Sequence, residues 1–553
     1  MPEQRDPQAN QEPNRIVVRM YRGVLGDCFL ITVWRDGAPS VAMIDCGVLQ
    51  NVQPGPDMVQ KLPPNVVEGV GAAVLGKVEG TKDAVRAIGS DIRAYLADKG
   101  GKLDLLVLTH DHYDHLAGFT LPDDENIFMA ADFGIDRLWL SWVENPDDPQ
   151  ARALAARFAK AKEAVALAAE AGRHAMNVDP ALADNLERVQ ALAAFIGPVS
   201  HPALPAVPAK TKTTTQSIQA MREKVGKRTR FLEPGQVLTG AEGFAGLKVY
   251  VLAPPRKEQR LFKDLPTGKG DAKEVYLTKM DEANAVATVA LAQLHGVAMD
   301  DGRAAQMEDD QRANARDERA LDPPPFARPH RRPYPPRPNE ERVYVPGWDH
   351  LRALYEASDN KYRTIDGDWA DGADSLALKL DSDTNNASLV LAFELEDGRV
   401  LLFPGDAQVG NWESWGDQLY PATAAEGEKQ SSIEDILRRV VFYKVGHHAS
   451  HNATARARGL ELMTDPRLCA AIPVVEAVAK IQGPGRKAPG KGWKMPYDEL
   501  YNRLKDKTQH RIVRGDGDPA AERAAFTAAN AGVSIAHQDP VAGGRWVELS
   551  FPL

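Results

Sequence analysis

Cysteine is nearly absent. The 553-residue chain has three, Cys28, Cys46 and Cys469, too few for a disulfide framework and without the C-x-x-C spacing of a structural zinc site. They read as reduced, mostly buried thiols. No run of about 18 apolar residues occurs, and the opening MPEQRDPQANQEPNR is polar, without the apolar stretch of an export signal. Both absences argue against export and membrane spanning and leave the cytoplasm as the default expectation. Positive charge is not in excess either: 67 Lys and Arg against 77 Asp and Glu give a net charge of −10, which excludes a generally basic, nucleic-acid-coating surface but not a local basic groove. No internal repeat of fixed period is found.

What is present is enough apolar material, 43% of residues, to bury a large core in two or three units or one large decorated domain. RIVVRMY, CFLITVW and SVAMIDCG are short β-branched runs parted by the turn signals GVLGD and RDGAPS, and they predict an opening strand meander. In DAVRAIGSDIRAYLAD, residues 83–98, Val85, Ile88, Ile92 and Leu96 recur at helical spacing; LDLLVLTH then reads as a buried strand. Residues 147–196 turn alanine-rich and helical. GLKVYVLAPP is again strand-like, and from 376 strands are expected at LALKL, SLVLAFEL, RVLLFPGD and VVFYKVGHH, with RWVELSF closing the chain. Residues 300–342 are charged, proline-rich and nearly free of large apolar side chains, so burial cannot offset their ordering entropy. Strands and helices alternating around strand-end motifs predict a layered α/β fold.

The chemistry concentrates in HDHYDH, where His110, His112, Asp114 and His115 follow the apolar LDLLVLT directly. On a loop after a strand, the first and third positions can aim two imidazoles at one metal while the adjacent Asp and His turn to a neighbouring one. A solvated histidine-rich loop is the plainer reading, but three histidines and two aspartates within six residues favour metal. Neutral imidazole and carboxylate donors without thiolate suit zinc first, with manganese or iron as alternatives.

These residues resemble the signature of the metallo-β-lactamase superfamily, and the resemblance reaches both ends of the chain. VVRMYRGVLGDCFLITVW…AMIDCG is similar to the opening strands of the subgroup typified by the metallo-β-lactamase-like domain of bacterial DNA-uptake competence proteins, without their membrane channel. NNASLVLAFE with LLFPGDAQ, and YKVGHHASHNAT, resemble its later strand pair and its HHGS element. The resemblance implies an αββα sandwich and a two-metal site: His110, His112, Asp114, His115, the bridging Asp406 and His448 as ligands. It implies that Asp45 orients a ligand loop, and that His447 sits beside the metals to touch substrate or orient a neighbour. Two departures stand out. A further metal-binding histidine is common in the superfamily, yet His174, His201, His295, His330 and His350 lie in no recognisable motif and none is assigned; Ala449 replaces the usual glycine.

The organisation expected is a polar tail (1–14), the first half of the domain (15–135), a helical insertion (136–235), a return to the core (236–299), a flexible Pro/charge-rich loop (300–345), the second half (346–460) and a C-terminal completion (461–553). The expected reaction is hydrolysis by a hydroxide that two metals activate, with Asp114, Asp406, His447 and His451 as candidate catalytic groups. His451 and Asn452 would donate to a leaving oxygen or cap the loop. Lys444 would neutralise a substrate phosphate or stand in solvent, and Asp111 is either another metal-facing carboxylate or a loop-bonding residue. The resemblance favours phosphodiesters, in nucleic acid or a small phosphoester; the alternatives are a lactone, ester or amide hydrolase on the same site, or a non-catalytic subunit of this fold. The helical insertion is the expected contact for a protein partner or a second copy.

Overall fold

Alternation of side chains along the strands decides which face each one buries. In the computed structural model, described for residues 13–49, 81–175, 183–208, 210–263, 368–424, 427, 429–480, 482, 492–528, 532–539 and 544–553, the chain is a mixed α/β protein with two large sheets. Strands β1 (Arg15–Tyr21), β2 (Phe29–Arg35) and β3 (Ala38–Ile44) form the expected meander, followed by β4 (Leu105–Val107), β5 (Leu138–Ser141) and β6 (Thr229–Leu232). The second sheet takes β7 (Val237–Leu238), β8 (Lys248–Ala253), β9 (Val390–Glu394), β10 (Val400–Phe403), β11 (Val440–Lys444), β12 (Cys469–Ile472) and β13 (Ile512–Arg514); β14 (Ser534–His537) and β15 (Trp546–Pro552) return to the first. The orders are β14-β15-β1-β2-β3-β4-β5-β6 and β13-β12-β11-β10-β9-β8-β7. Each sheet is antiparallel in one part and parallel in the other: β3 to β6 run parallel in the first, β10 to β13 in the second.

Odd and even residues then part company. Ile16, Val18, Phe29, Ile31, Ala42, Ile44, Leu105 and Val107 of the first sheet share one core with Val249, Val251, Leu391, Phe393, Leu401 and Phe403 of the second. The alternate residues Leu30, Val41, Met43 and Leu106 pack instead against α1 (Thr81–Leu96), through Val85, Ile88, Ile92 and Leu96, and against Ile218, Met221 and Val225 of α4 (Thr214–Val225). On the second sheet Tyr250, Ala392, Leu402 and Tyr443 meet α2 (Pro149–Ala175), α3 (Ala183–Ile196) and α5 (Asp368–Asn386). Each large aliphatic side chain buried in this way contributes roughly 1.5–3 kcal/mol.

Two expectations change. LALKL is not a strand: Ala370, Ala373, Ala377 and Leu380 lie buried on α5, and this three-to-four-residue period over a long segment overrides the local alternation that suggested β structure. The segment 136–235 holds helices α2, α3 and α4, yet its flanks are β5 and β6 of the first sheet; the apolar runs LWL and RFL were too short to separate from their helical surroundings. The flexible loop expected at 300–345 lies outside the described residues, as do 264–299 and 346–367. Among the described residues no helix is long and apolar enough to cross a membrane.

Candidate metal centre

Ligand-bearing loops leave the carboxyl ends of parallel strands, where side chains project from rigid edges. β4 runs into His110–His115, β10 into Asp406 and β11 into His447 and His448. The loops are stitched together by backbone: Leu389 N donates to Thr109 O at 2.9 Å, joining the entry to β9 with the exit from β4. Ser388 Oγ accepts from Asp406 N at 3.1 Å. Gly47 is required for the close approach of two turns, because a Cβ there would fall 1.9 Å from the carbonyl carbon of Asp114.

The result is a buried group in which Asp114, His115, Asp406 and His448 each present one donor atom within 4.8 Å of the others. His115 Nδ1 donates to Asp45 Oδ2 at 2.8 Å, and Asp45 also accepts from Thr109 N at 2.8 Å and Thr109 Oγ1 at 2.6 Å. His115 Nε2 is left without a hydrogen bond, 3.2 Å from Asp406 Oδ2, which is equally unpartnered. His448 Nδ1 donates to the carbonyl of Pro473 at 2.8 Å, while its Nε2 faces Asp114 Oδ2 at 2.8 Å. His448 therefore meets acceptors at both nitrogens, which a neutral imidazole with a single N–H cannot satisfy, and His115 has the Asp406 oxygen near its unbonded Nε2. A cation belongs there, either a second proton on each ring or a metal shared with the carboxylates. Beside this group His110 Nε2 and His112 Nδ1 stand 3.2 Å apart, and the His110 ring centroid lies 4.2 Å from that of His115.

The charges agree. Asp27, Asp45, Asp114 and Asp406 are all nearly or fully buried, with Lys444 the ammonium among them. Lys444 Nζ donates to Asp406 Oδ1 at 2.9 Å, to Gly405 O at 2.8 Å and to Asp27. It is thus neither solvated nor available to a substrate phosphate, because two carboxylates already occupy it. Burial lowers its pKa but Asp27 and Asp406 more than reverse this. Asp406 sits well below the ordinary carboxylate range: burial opposes its ionisation, and Lys444, His115 and His448 overcome that. Burial likewise works against charge on His115, and Asp406, Asp27, Asp114 and Asp45 together raise its pKa well above the usual value. His448 is also raised, by the Asp114 hydrogen bond and Asp406 acting against burial. The pair behaves oppositely: burial pushes His110 well below its usual range and His112 to about 4.

The remaining candidates take other places. His447 donates its backbone N–H to Asp406 Oδ1 at 2.9 Å, and its Nδ1 lies 2.9 Å from Ser450 Oγ and 3.2 Å from Gln408 Nε2. His447, His448 and Ala449 all have left-handed backbone, at φ 43°, 52° and 61°, so the residue replacing the usual glycine occupies a conformation that glycine adopts freely. Strain of about 1–3 kcal/mol per residue is held only because surrounding bonds fix the turn. The ring of His451 packs against Tyr497, with centroids 6.2 Å apart, and among the described residues has no hydrogen bond to the six ligand candidates. Asn452 accepts from Ser450 Oγ at 2.8 Å, a loop-closing bond. Asp111 points away from the group: it accepts from Thr215 Oγ1 at 2.7 Å and pairs with Lys162 of α2 at 2.7 Å, tying the ligand loop to the helical segment. Phe195 of α3 covers the site, packing 5.9 Å from His112 and 6.2 Å from His447 and stacking on Trp493 at 5.2 Å.

Sequence reasoning passed over Asp27, whose Oδ1 is buried and unpartnered and which groups with Asp45 and His115. It sits in the turn GVLGD, where a lone aspartate reads as a turn former, and only the distant Lys444 reveals its other use. It also passed over Asp381, whose carboxyl is raised to about 8 by burial and then by Asp114 and Asp406. Models of known protein families give no match to this chain, and a search of curated proteins gives none.

Proposed function

We propose that this chain is a metallo-β-lactamase-fold hydrolase that holds two divalent cations and cleaves phosphodiesters, in nucleic acid or a small phosphoester. Supporting the fold reading, the two sheets share one core and carry helices on their outer faces, the layering of an αββα sandwich. The observation that carries the functional reading is the pair His448, with acceptors at both ring nitrogens, and His115, held at Nδ1 with its bare Nε2 beside an orphaned Asp406 oxygen. Among the described residues the centre gathers four buried carboxylates around Lys444 and two imidazoles, and zinc, manganese or iron would take the place of the extra protons on those rings.

Asp114, His115, Asp406 and His448 would hold one cation, His110 and His112 would face the other, and Asp406 would serve both. Divalent cations bound there lower the pKa of water and stabilise negative charge developing on a substrate oxygen. The chain does the rest. Asp45 and the carbonyl of Pro473 fix the tautomers of His115 and His448, so their Nε2 atoms turn inward. Lys444 and the amide of His447 orient Asp406 through Oδ1 and leave Oδ2 for the centre. Phe195, with Trp493 stacked on it, packs over His112 and His447.

The choice of phosphodiesters rests on the resemblance of 15–135 and 376–460 to the competence-type subgroup. Elemental analysis of the purified chain, followed by turnover of bis(p-nitrophenyl) phosphate, single-stranded DNA and a lactone panel with zinc or manganese, tests it. Cation binding with phosphodiester cleavage is the expected result. Lactone opening alone would move the substrate class to esters, and cation binding without turnover of any substrate would leave a non-catalytic subunit.

A further inference from the structure

α5 ends beside the metal centre. Its last turn leads into Asn386 and Ser388, which Asn411 holds through bonds of 3.0, 2.9 and 3.0 Å and which supply the hydroxyl that accepts from the amide of Asp406. One turn earlier stands Asp381, only 9% exposed. Asn385 Nδ2 donates to its Oδ2 at 3.1 Å, but Oδ1 is buried without a hydrogen bond, as is Oδ1 of Asn385. Asp114, Asp406 and His448, three of the four members of the tight ligand group, act on it by charge, and Gln408, two residues after Asp406, by a side-chain hydrogen bond. No lysine or arginine is among them. Other acidic side chains of this helix are treated differently: Asp383, two residues on, pairs with Lys379 at 2.7 Å and with Arg157 at 3.6 Å.

A buried carboxylate oxygen with no donor, set among other carboxylates, opposes folding unless something positive meets it. Asp381 lies outside the group of four whose donor atoms are all within 4.8 Å of one another, while the helix that carries it ends at the residues bonded to Asn411 and Asp406. We propose, on the reading that this centre binds divalent cations, that Asp381 is a further acidic member of it, placed by α5 to strengthen cation binding. The helix gives the position, Asn385 fixes one oxygen, and the other remains for the cation or for water in its shell. A second sphere of this kind changes metal affinity by about 10–100-fold in other proteins.

The test uses the full-length chain and zinc or manganese alone. Affinity is measured by titration against a competing chelator, stoichiometry by elemental analysis, and melting with and without excess EDTA. Asp381→Asn is expected to lose about tenfold or more in affinity for at least one cation. In EDTA it should melt no lower than wild type, because the carboxyl, raised to about 8, is already largely neutral near neutral pH and the amide replaces it at the same size. Asp383→Asn should melt lower, having lost its partners, and keep wild-type cation affinity. If Asp381→Asn does not fold, Asp381→Ser is measured in the same way. Unchanged affinity and stoichiometry in a folded Asp381 variant overturn the proposal, and so does a lower melting point in EDTA with unchanged affinity, the mark of a purely structural residue. A wild-type chain that binds neither cation overturns the metal reading itself, and this proposal with it.

Discussion

The two halves of the centre are built from adjacent residues yet held by different means. Asp114, His115, Asp406 and His448 are each fixed from behind: Asp45 holds His115, the Pro473 carbonyl holds His448, and Lys444 with the His447 amide holds Asp406. His110 and His112 have the Thr109 hydroxyl, each other and the cover of Phe195. The first half is charged, closed and over-determined. The second is neutral and lightly supported, so a cation bound there is expected to exchange more readily.

Removing the residue that both halves share should have the largest effect. Asp406→Ala is expected to lower phosphodiester turnover by about 10²–10³-fold or more, with loss of at least one cation by elemental analysis and a melting point in EDTA that stays within a few degrees. A variant that keeps two cations and near-native turnover would mean that Asp406 serves neither half. Next comes the ammonium behind it. Lys444→Met leaves Asp27 and Asp406 buried without their partner and should cost about 3–5 kcal/mol in EDTA, partly recovered when zinc or manganese is added; equal stability with and without Lys444 would remove the argument that the centre needs positive charge. Asp45→Asn reaches His110 only through the Thr109 hydroxyl and touches the closed half directly, through His115. It should weaken cation binding there by about 10–100-fold while His110→Ala affects the other cation, and a common loss of both cations in both variants would erase the distinction between halves.

The smallest expected effects are in acid–base behaviour of the cation-free chain, and they have opposite signs. His112 has its folded pKa depressed to about 4, chiefly by burial, so the unfolded chain takes up protons first and stability is lost as pH falls below the ordinary histidine value. His448 has its folded pKa raised by Asp114 and Asp406 against burial; its contribution is complete below the ordinary value and fades as pH rises through the folded one. Each group changes the slope by at most about 1.4 kcal/mol per pH unit. In EDTA, His112→Asn should therefore flatten the acid side of a melting-versus-pH curve and His448→Gln the alkaline side. The same flank changing in both variants would refute the assignment of charge.

Much of the strand plan was legible because it is a local property. RIVVRMY, CFLITVW and RVLLF alternate, and their alternate residues do face different layers. LALKL misled because five residues cannot distinguish a period of two from the helical run that contains them. The HDHYDH motif was legible as chemistry because short spacing on one loop fixes proximity. Asp27, Lys444 and Asp381 were not, since each is an ordinary residue in its own segment and acquires its role from partners hundreds of residues or a whole helix away.

By itself, then, the sequence determined which segments alternate, which turn helical and where imidazoles and carboxylates are dense enough to share a cation, all of which depend on neighbours a few positions apart. Tertiary structure brought Asp406 and His448, which the resemblance had named as ligands, against Asp114 and His115, with Asp114 and His448 334 positions apart in the sequence. It also decided that Lys444 is a buried counter-ion and not a substrate-binding group, and that His451 turns to Tyr497. The physical reason is that burial and charge pairing are properties of the packed interior, where loss of water makes each carboxylate depend on whichever group the fold brings within reach.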